Sequence, residues 1–174
     1  RTTETGLAHG TVVIHANGVD YEVTTYRIDG QYSDGRHADS VQWATRLEDD
    51  LSRRDFTINA MAYNPNKGLI DPFGGIAEMQ IIRTVGDPDE RFREDALRMM
   101  RAIRFSVRLG FSIEDATVAS IVRNSGDINQ VSLERIADEF GQILECDLRP
   151  LDIGMLFILS SRFIPSWIDI AQIG

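Results

Sequence analysis

The chain has 174 residues, 43% of them hydrophobic, enough for one ordinary domain or two small ones sharing an interface. A net charge of −9 repels polyanions and argues against broad, sequence-blind binding to nucleic acid. No run of about 18 apolar residues exists, the first residues lack the layout of a signal peptide, and a single cysteine, Cys146, rules out an internal disulfide framework and a cysteine-rich zinc site, so a cytoplasmic protein without a membrane partner is expected.

In chain order, Thr11 to Ile14 and Tyr21 to Tyr26 read as strands rich in β-branched and aromatic residues, joined at Asn17-Gly18, a strong hairpin signal. Glu22 sits mid-strand; it is either a solvent-facing charge or a third carboxylate beside a metal pair. Arg27 to Ser40 is polar and glycine-containing and reads as a loop. Trp43, Leu47 and Leu51 recur at the four-residue spacing of one helix face. Asp55 to Tyr63 follows as a short, partly buried segment. Leu69-Ile70 and Ile81-Ile82 read as short strands flanking Asp71-Pro72-Phe73-Gly74-Gly75, a turn that would shape a site floor. From about Asp89 the pattern turns helical. One helix is expected from Asp89 to Leu109, with Ala96, Met100, Ile103 and Val107 as its apolar stripe and Gly110 as its stop. Helices at Glu114 to Asn124 and Ser132 to Glu145 follow, Ser132 being the expected N-cap, and a last apolar stretch covers Leu151 to Ile158. His9, His15 and His37 show no ligand spacing.

The basic residues are unevenly chosen: 17 of 18 are arginine, Lys67 being the exception, and seven arginines fall between Arg83 and Arg108. Arginine is the better planar partner for phosphates and base edges, so a local site on an acidic body is open, beside the plainer reading of a solvated helix face. Asp95 and Arg98, three apart, would be neighbours on that face, and Arg101 and Arg104 continue the spacing. Such a pair is either an ordinary surface salt bridge or a base reader. A carboxylate accepts from an exocyclic amine while arginine donates to the adjacent ring nitrogen, which suits cytosine and adenine and rejects uracil and guanine. Arg53-Arg54-Asp55 divides similarly: two exposed arginines and a helix cap, or Arg54 on triphosphate oxygens with Asp55 and Asn59 fixing its fork.

Three ordered stretches, Arg53-Arg54-Asp55-Phe56-Thr57-Ile58-Asn59-Ala60-Met61, Asp71 to Gly75, and Arg91 through Phe105 with Glu94-Asp95-Ala96-Leu97-Arg98 at its centre, resemble the tRNA CCA-adding and bacterial poly(A) polymerase family. The resemblance implies an α+β fold: a polymerase-β-like nucleotidyltransferase head with an incomplete sheet over residues 1–86, then an all-helical neck over 87–174. It implies addition of C and A to the 3′ end of tRNA from CTP and ATP, assisted by two Mg²⁺ ions. Glu94-Asp95-Ala96-Leu97-Arg98 matches the family's protein template for the incoming base, and Arg54, Arg101 and Arg104 match positions that help bind the nucleotide. The family's Gly-Gly and Asp-x-Asp motifs do not occur where expected, so the metal ligands are expected outside this chain, which reads as a fragment inactive by itself. An A-adding enzyme or poly(A) polymerase of the same family, or a non-catalytic nucleotide- or RNA-binding module, are the alternatives.

Overall fold

The computed structural model describes residues 2–3, 10–30 and 40–161. Its first half is built from small antiparallel units. Strand β1 (Thr2–Thr3) pairs with β2 (Thr11–Ala16), which pairs with β3 (Val19–Thr24). The β2–β3 hairpin turns on Asn17 (φ 53°) and Gly18 (φ 76°), the two left-handed residues that a type I′ turn requires. β4 (Arg27–Asp29) pairs with β5 (Val41–Trp43), so the expected loop begins as a strand and Trp43 belongs to a sheet, not to a helix face. The polar composition of this stretch concealed it: Arg27 and Asp29 share one face and pair with each other at 3.0 Å, satisfying charges that read as solvated. The rest of that expected loop, including His37, lies outside the described residues, as does His9. Helix α1 (Leu47–Ser52) buries Leu51 against Ala60 and Val85. A turn of 3₁₀ helix (Thr57–Asn59) leads to the hairpin of β6 (Ala62–Asn64) and β7 (Gly68–Ile70).

The second half is helical. Asp87 accepts from Asp89 N and Glu90 N at 2.8 and 3.1 Å and, with Pro88 at the first position, starts α2 (Pro88–Glu94). The single helix expected from Asp89 to Leu109 is in fact two. At Asp95 the backbone is extended (φ −152°, ψ 104°), and α3 (Leu97–Leu109) begins two residues later. The Asp95 carboxylate accepts from Leu97 N at 3.1 Å, the competing side-chain-to-backbone bond that favours aspartate at helix starts over helix interiors. Gly110 (φ 68°) ends α3 in the left-handed conformation. The chain then returns as β9 (Ser112–Ile113), parallel to β8 (Ile81–Ile82). Helices α4 (Asp115–Asn124), α5 (Leu133–Leu144) and α6 (Pro150–Ser160) follow. Ser132 occupies the N-cap position of α5, but its hydroxyl makes no capping bond.

The main core surrounds α3. Met99, Met100, Ala102 and Ile103 are buried together with Phe56 and Ile82 from the strand-rich half and Ile121, Ile143 and Leu159 from the later helices. Phe56 meets Phe105 edge to face, ring centroids 5.8 Å apart. One apolar cluster thus anchors the Asp55–Asn59 segment directly onto α3, and that contact sets the position of the site. No helix among the described residues is long and apolar enough to cross a membrane.

Candidate nucleotide-binding site

Where the β2–β3 hairpin, the end of α1, the Asp55–Asn59 segment and the first turns of α3 meet, they enclose a cleft of about 680 Å³. Six arginines line it, Arg27, Arg53, Arg54, Arg98, Arg101 and Arg135, against two aspartates, Asp55 and Asp95. On a chain of net charge −9 this is a local concentration of guanidinium groups.

Asp55 organises the floor. Packing of Phe56 draws it inside, leaving it 9% exposed. It accepts from Phe56 N at 2.9 Å, from Asn59 Nδ2 at 3.0 Å, and from Arg101 Nε and Nη2 at 2.9 and 2.7 Å. Burial pushes the Asp55 carboxyl pKa up, but the Arg101 charge and these donors outweigh it and hold it below the ordinary value. Burial likewise works against the Arg101 cation, while Asp55, Glu139 and Asp95 more than restore it. Asp55 and Asn59 therefore fix the fork of Arg101, whereas the sequence pattern had suggested that they fix Arg54. Beneath them, Asp71 accepts from Gly75 N and Ile76 N, both at 2.8 Å, and closes the turn whose Gly75 lies against the Thr57 carbonyl.

Arg54 is held differently. Its side chain is 44% exposed and donates to Asp50 Oδ2 at 3.3 Å. Asp50, buried near the end of α1, also accepts from Arg53 Nη2 at 2.7 Å and from Arg27 N at 3.3 Å. Burial raises the Asp50 pKa, and Arg53 first, then Arg27 N and Arg54, bring it below the ordinary value. One carboxylate behind the wall thus aligns the Arg53 and Arg54 side chains and holds the backbone at Arg27.

The base-reading pair needs correction. Since Asp95 lies at the break between α2 and α3, it and Arg98 are not neighbours on a continuous helix face. Arg98 donates to Glu94 Oε2 at 2.6 Å, and Asp95 Oδ2 accepts from Arg135 Nη2 at 2.8 Å. Both Asp95 and Arg98 nevertheless line the cleft. Asp95 keeps lone pairs for an amine, and Arg98 keeps N–H groups beyond those bonded to Glu94, Arg91 O and Arg53 O.

Arg104 does not face the cleft. It is 7% exposed, donates through Nε to Glu139 at 2.5 Å, and stacks on Phe105 with 4.3 Å from its guanidinium carbon to the ring centroid. Its spacing carries it past the cleft lining into the α3–α5 interface. Glu22 is not brought into the cleft either. It is exposed on β3 opposite Val13, on the same face as Thr24, which does line the cleft. Sequence reasoning missed Asp50, Arg135 and Glu139. Arg135, Glu139 and Ile143 fall at four-residue spacing on the face of α5 turned to α3, so an acid and a base within an otherwise apolar stripe were the available signal.

Among the described residues no group of three His, Cys, Asp or Glu side chains stands close enough to hold a metal ion. The Mg²⁺ pair therefore does not fit the residues described, and no chemical step is routed through it.

Residues 1–83 match the family model described as Poly A polymerase head domain, and residues 110–148 match that described as probable RNA and SrmB-binding site of polymerase A. The CCA-adding enzyme of Anoxybacillus flavithermus is 50% identical over 146 residues, 83% of this chain and 37% of that protein. The crystal structure of the Bacillus stearothermophilus CCA-adding enzyme in complex with CTP aligns with a TM-score of 0.78 at 43% identity, over 92% of this chain and 38% of that one. The Thermotoga maritima CCA-adding enzyme complexed with tRNA aligns at 0.64 and 29% identity, over 87% and 34%. The chain spans 36–37% of the length of the curated relatives it matches. Sequence motifs, α+β architecture and cleft agree with these matches, and over its length the chain is similar to the tRNA nucleotidyltransferase and bacterial poly(A) polymerase family.

Proposed function

We propose that the whole protein adds C and A to the 3′ end of tRNA from CTP and ATP, and that this chain supplies the cleft that holds and reads the incoming nucleotide. The single observation that carries the proposal is the convergence of Asp95, Arg98, Arg101 and Arg54 from three separate elements onto one cationic cleft. Asp95 accepts the exocyclic amine of cytosine or adenine, and Arg98 donates to the neighbouring ring nitrogen. Uracil and guanine would set like against like, at roughly 1–3 kcal/mol for each mismatched buried group. Arg54, the most exposed of the four, turns to the triphosphate, with Arg101 beside it on its Asp55 support. The RNA 3′-hydroxyl attacks the α-phosphorus and pyrophosphate leaves. Mg²⁺ is the metal this reading calls for, and since the described residues offer no ligand set for it, the chemistry assigned to them is binding and orienting the nucleotide.

Within this reading, residues 1–86 form the head and 87–174 the neck, and the protein works in the cytoplasm. The descriptions of the matching family models also admit a poly(A) polymerase, and sequencing the 3′ ends added by the complete protein separates the two. The deciding experiment is CTP, ATP and UTP affinity in the complete protein after Asp95→Ala and Arg98→Ala. Loss of preference for C and A over U is expected; preference surviving both changes would make the α2–α3 junction merely structural.

A further inference from the structure

Helix α1 has no basic residue in its last turn to meet its orphan carbonyls. Two arginines from beyond the helix do so instead. Arg91 Nη1, in the last turn of α2, donates to Ser52 O at 3.2 Å, and Arg98 Nη2, in the first turn of α3, reaches Arg53 O at 3.5 Å. Glu94 ties the two together: its Oε1 pairs with Arg91 Nη2 and its Oε2 with Arg98 Nη1, both at 2.6 Å. The Arg91 side chain is mostly buried, yet it does not line the cleft. Its Nε is buried without a hydrogen-bond partner among the described residues, a cost carried to keep the guanidinium between Ser52 and Glu94.

The break at Asp95 is what makes such a bridge necessary. On a continuous helix Arg98 would take its direction from the turns before it; across an extended residue it cannot. Ser52, in turn, directly precedes Arg53 and Arg54 on another wall of the cleft. We propose that Arg91 is a positioning residue for base selection: by spanning the Ser52 carbonyl and Glu94, it fixes the distance between Arg98, which reads the base, and Arg54, which turns to the triphosphate. A nucleoside triphosphate has a set reach from base edge to phosphates, so a reader displaced by about 1 Å loses its hydrogen bond while the phosphate contacts survive. Uracil offers Arg98 no acceptor at that ring nitrogen and is indifferent to the displacement. The inference rests on the proposed reading of cytosine and adenine by Asp95 and Arg98.

The test measures CTP, ATP and UTP affinity in the complete protein. Arg91→Met keeps the apolar stem and removes every donor. It should lower CTP and ATP affinity about tenfold and UTP affinity by no more than about twofold, and in the Arg98→Ala background it should change the preference no further. Arg91→Lys keeps the charge but has one nitrogen for two partners; it should move in the same direction by about threefold, and it carries the test if Arg91→Met does not fold. An equal fall for all three nucleotides would make Arg91 a support of the fold and overturn the inference. So would a wild-type preference in both variants, or a further loss of preference in the Arg98→Ala background. Retention of the C and A preference by Arg98→Ala itself would instead sink the parent reading, and that measurement tells the two failures apart.

Discussion

The Asp55–Arg101 pair is the residue on which site and stability coincide. Asp55 is buried and accepts four hydrogen bonds, while Arg101 is about one-third exposed, so solvent screens part of their attraction. Asp55→Asn should lower stability by about 2 kcal/mol at neutral pH, read by urea unfolding. Because the folded pKa of Asp55 lies below its ordinary value, the stabilisation is complete above about pH 4 and is lost as the pH falls through the folded value. The wild-type advantage over the variant should therefore shrink in acid, and a gap that stays constant would mean the charge is not its source. Of the residues that the sequence singled out, Arg54, Asp55, Asn59, Asp95, Arg98 and Arg101 do meet at the cleft. Arg104 does not, because spacing along a helix fixes direction but not which side another helix will cover. Its partner Glu139 is 35 positions away, and nothing local announces it.

At the scale of elements, the Asn17-Gly18 hairpin and the Gly110 stop were legible because each depends on one residue adopting a left-handed backbone. The break at Asp95 was not. A carboxylate three residues before an arginine reads as a helical pair, and only the structure shows its oxygen bonded to Leu97 N. The short β4–β5 pairing was hidden too, since a three-residue strand leaves little periodicity to read. The turn beneath the site provides a contrast between neighbouring glycines. At Gly75 an added Cβ would lie 2.4 Å from the Thr57 carbonyl oxygen, a backbone atom that cannot yield cheaply. Gly75→Ala should cost about 2–3 kcal/mol and weaken CTP binding by displacing the Thr57–Asn59 turn. Gly74 (φ +73°) has room, the nearest atom being 3.7 Å away, and Gly74→Ala should cost only about 1 kcal/mol of backbone strain with CTP affinity kept. Equal effects would dismiss the contact as the cause. On the other side of α3, Glu139→Ala would leave the buried Arg104 cation without its close partner and should destabilise by about 3 kcal/mol. Arg104→Met in the same chain should restore most of that loss, and a double-mutant cycle measures it.

The whole molecule is acidic with a cationic hollow, and this arrangement favours a compact anion in the cleft over polyanions spread across the surface. CTP affinity should fall with added salt, by less for Arg54→Ala than for wild type; an unchanged salt slope in that variant would remove Arg54 from the phosphates. The 174-residue polypeptide assayed by itself is expected to add no nucleotide to a tRNA lacking its 3′ end, and measurable CMP incorporation would reverse that expectation. The return of the chain after Gly110 has one more consequence. Ser112 N donates to Gln80 O at 2.8 Å and Glu114 N to Ile82 O at 3.1 Å, so both ends of the α2–α3 excursion are stitched to each other. A protease nick at Val85–Gly86 should leave two fragments that co-migrate under native conditions and separate only in denaturant, because a two-rung parallel clasp and the shared apolar centre hold what the covalent link no longer does.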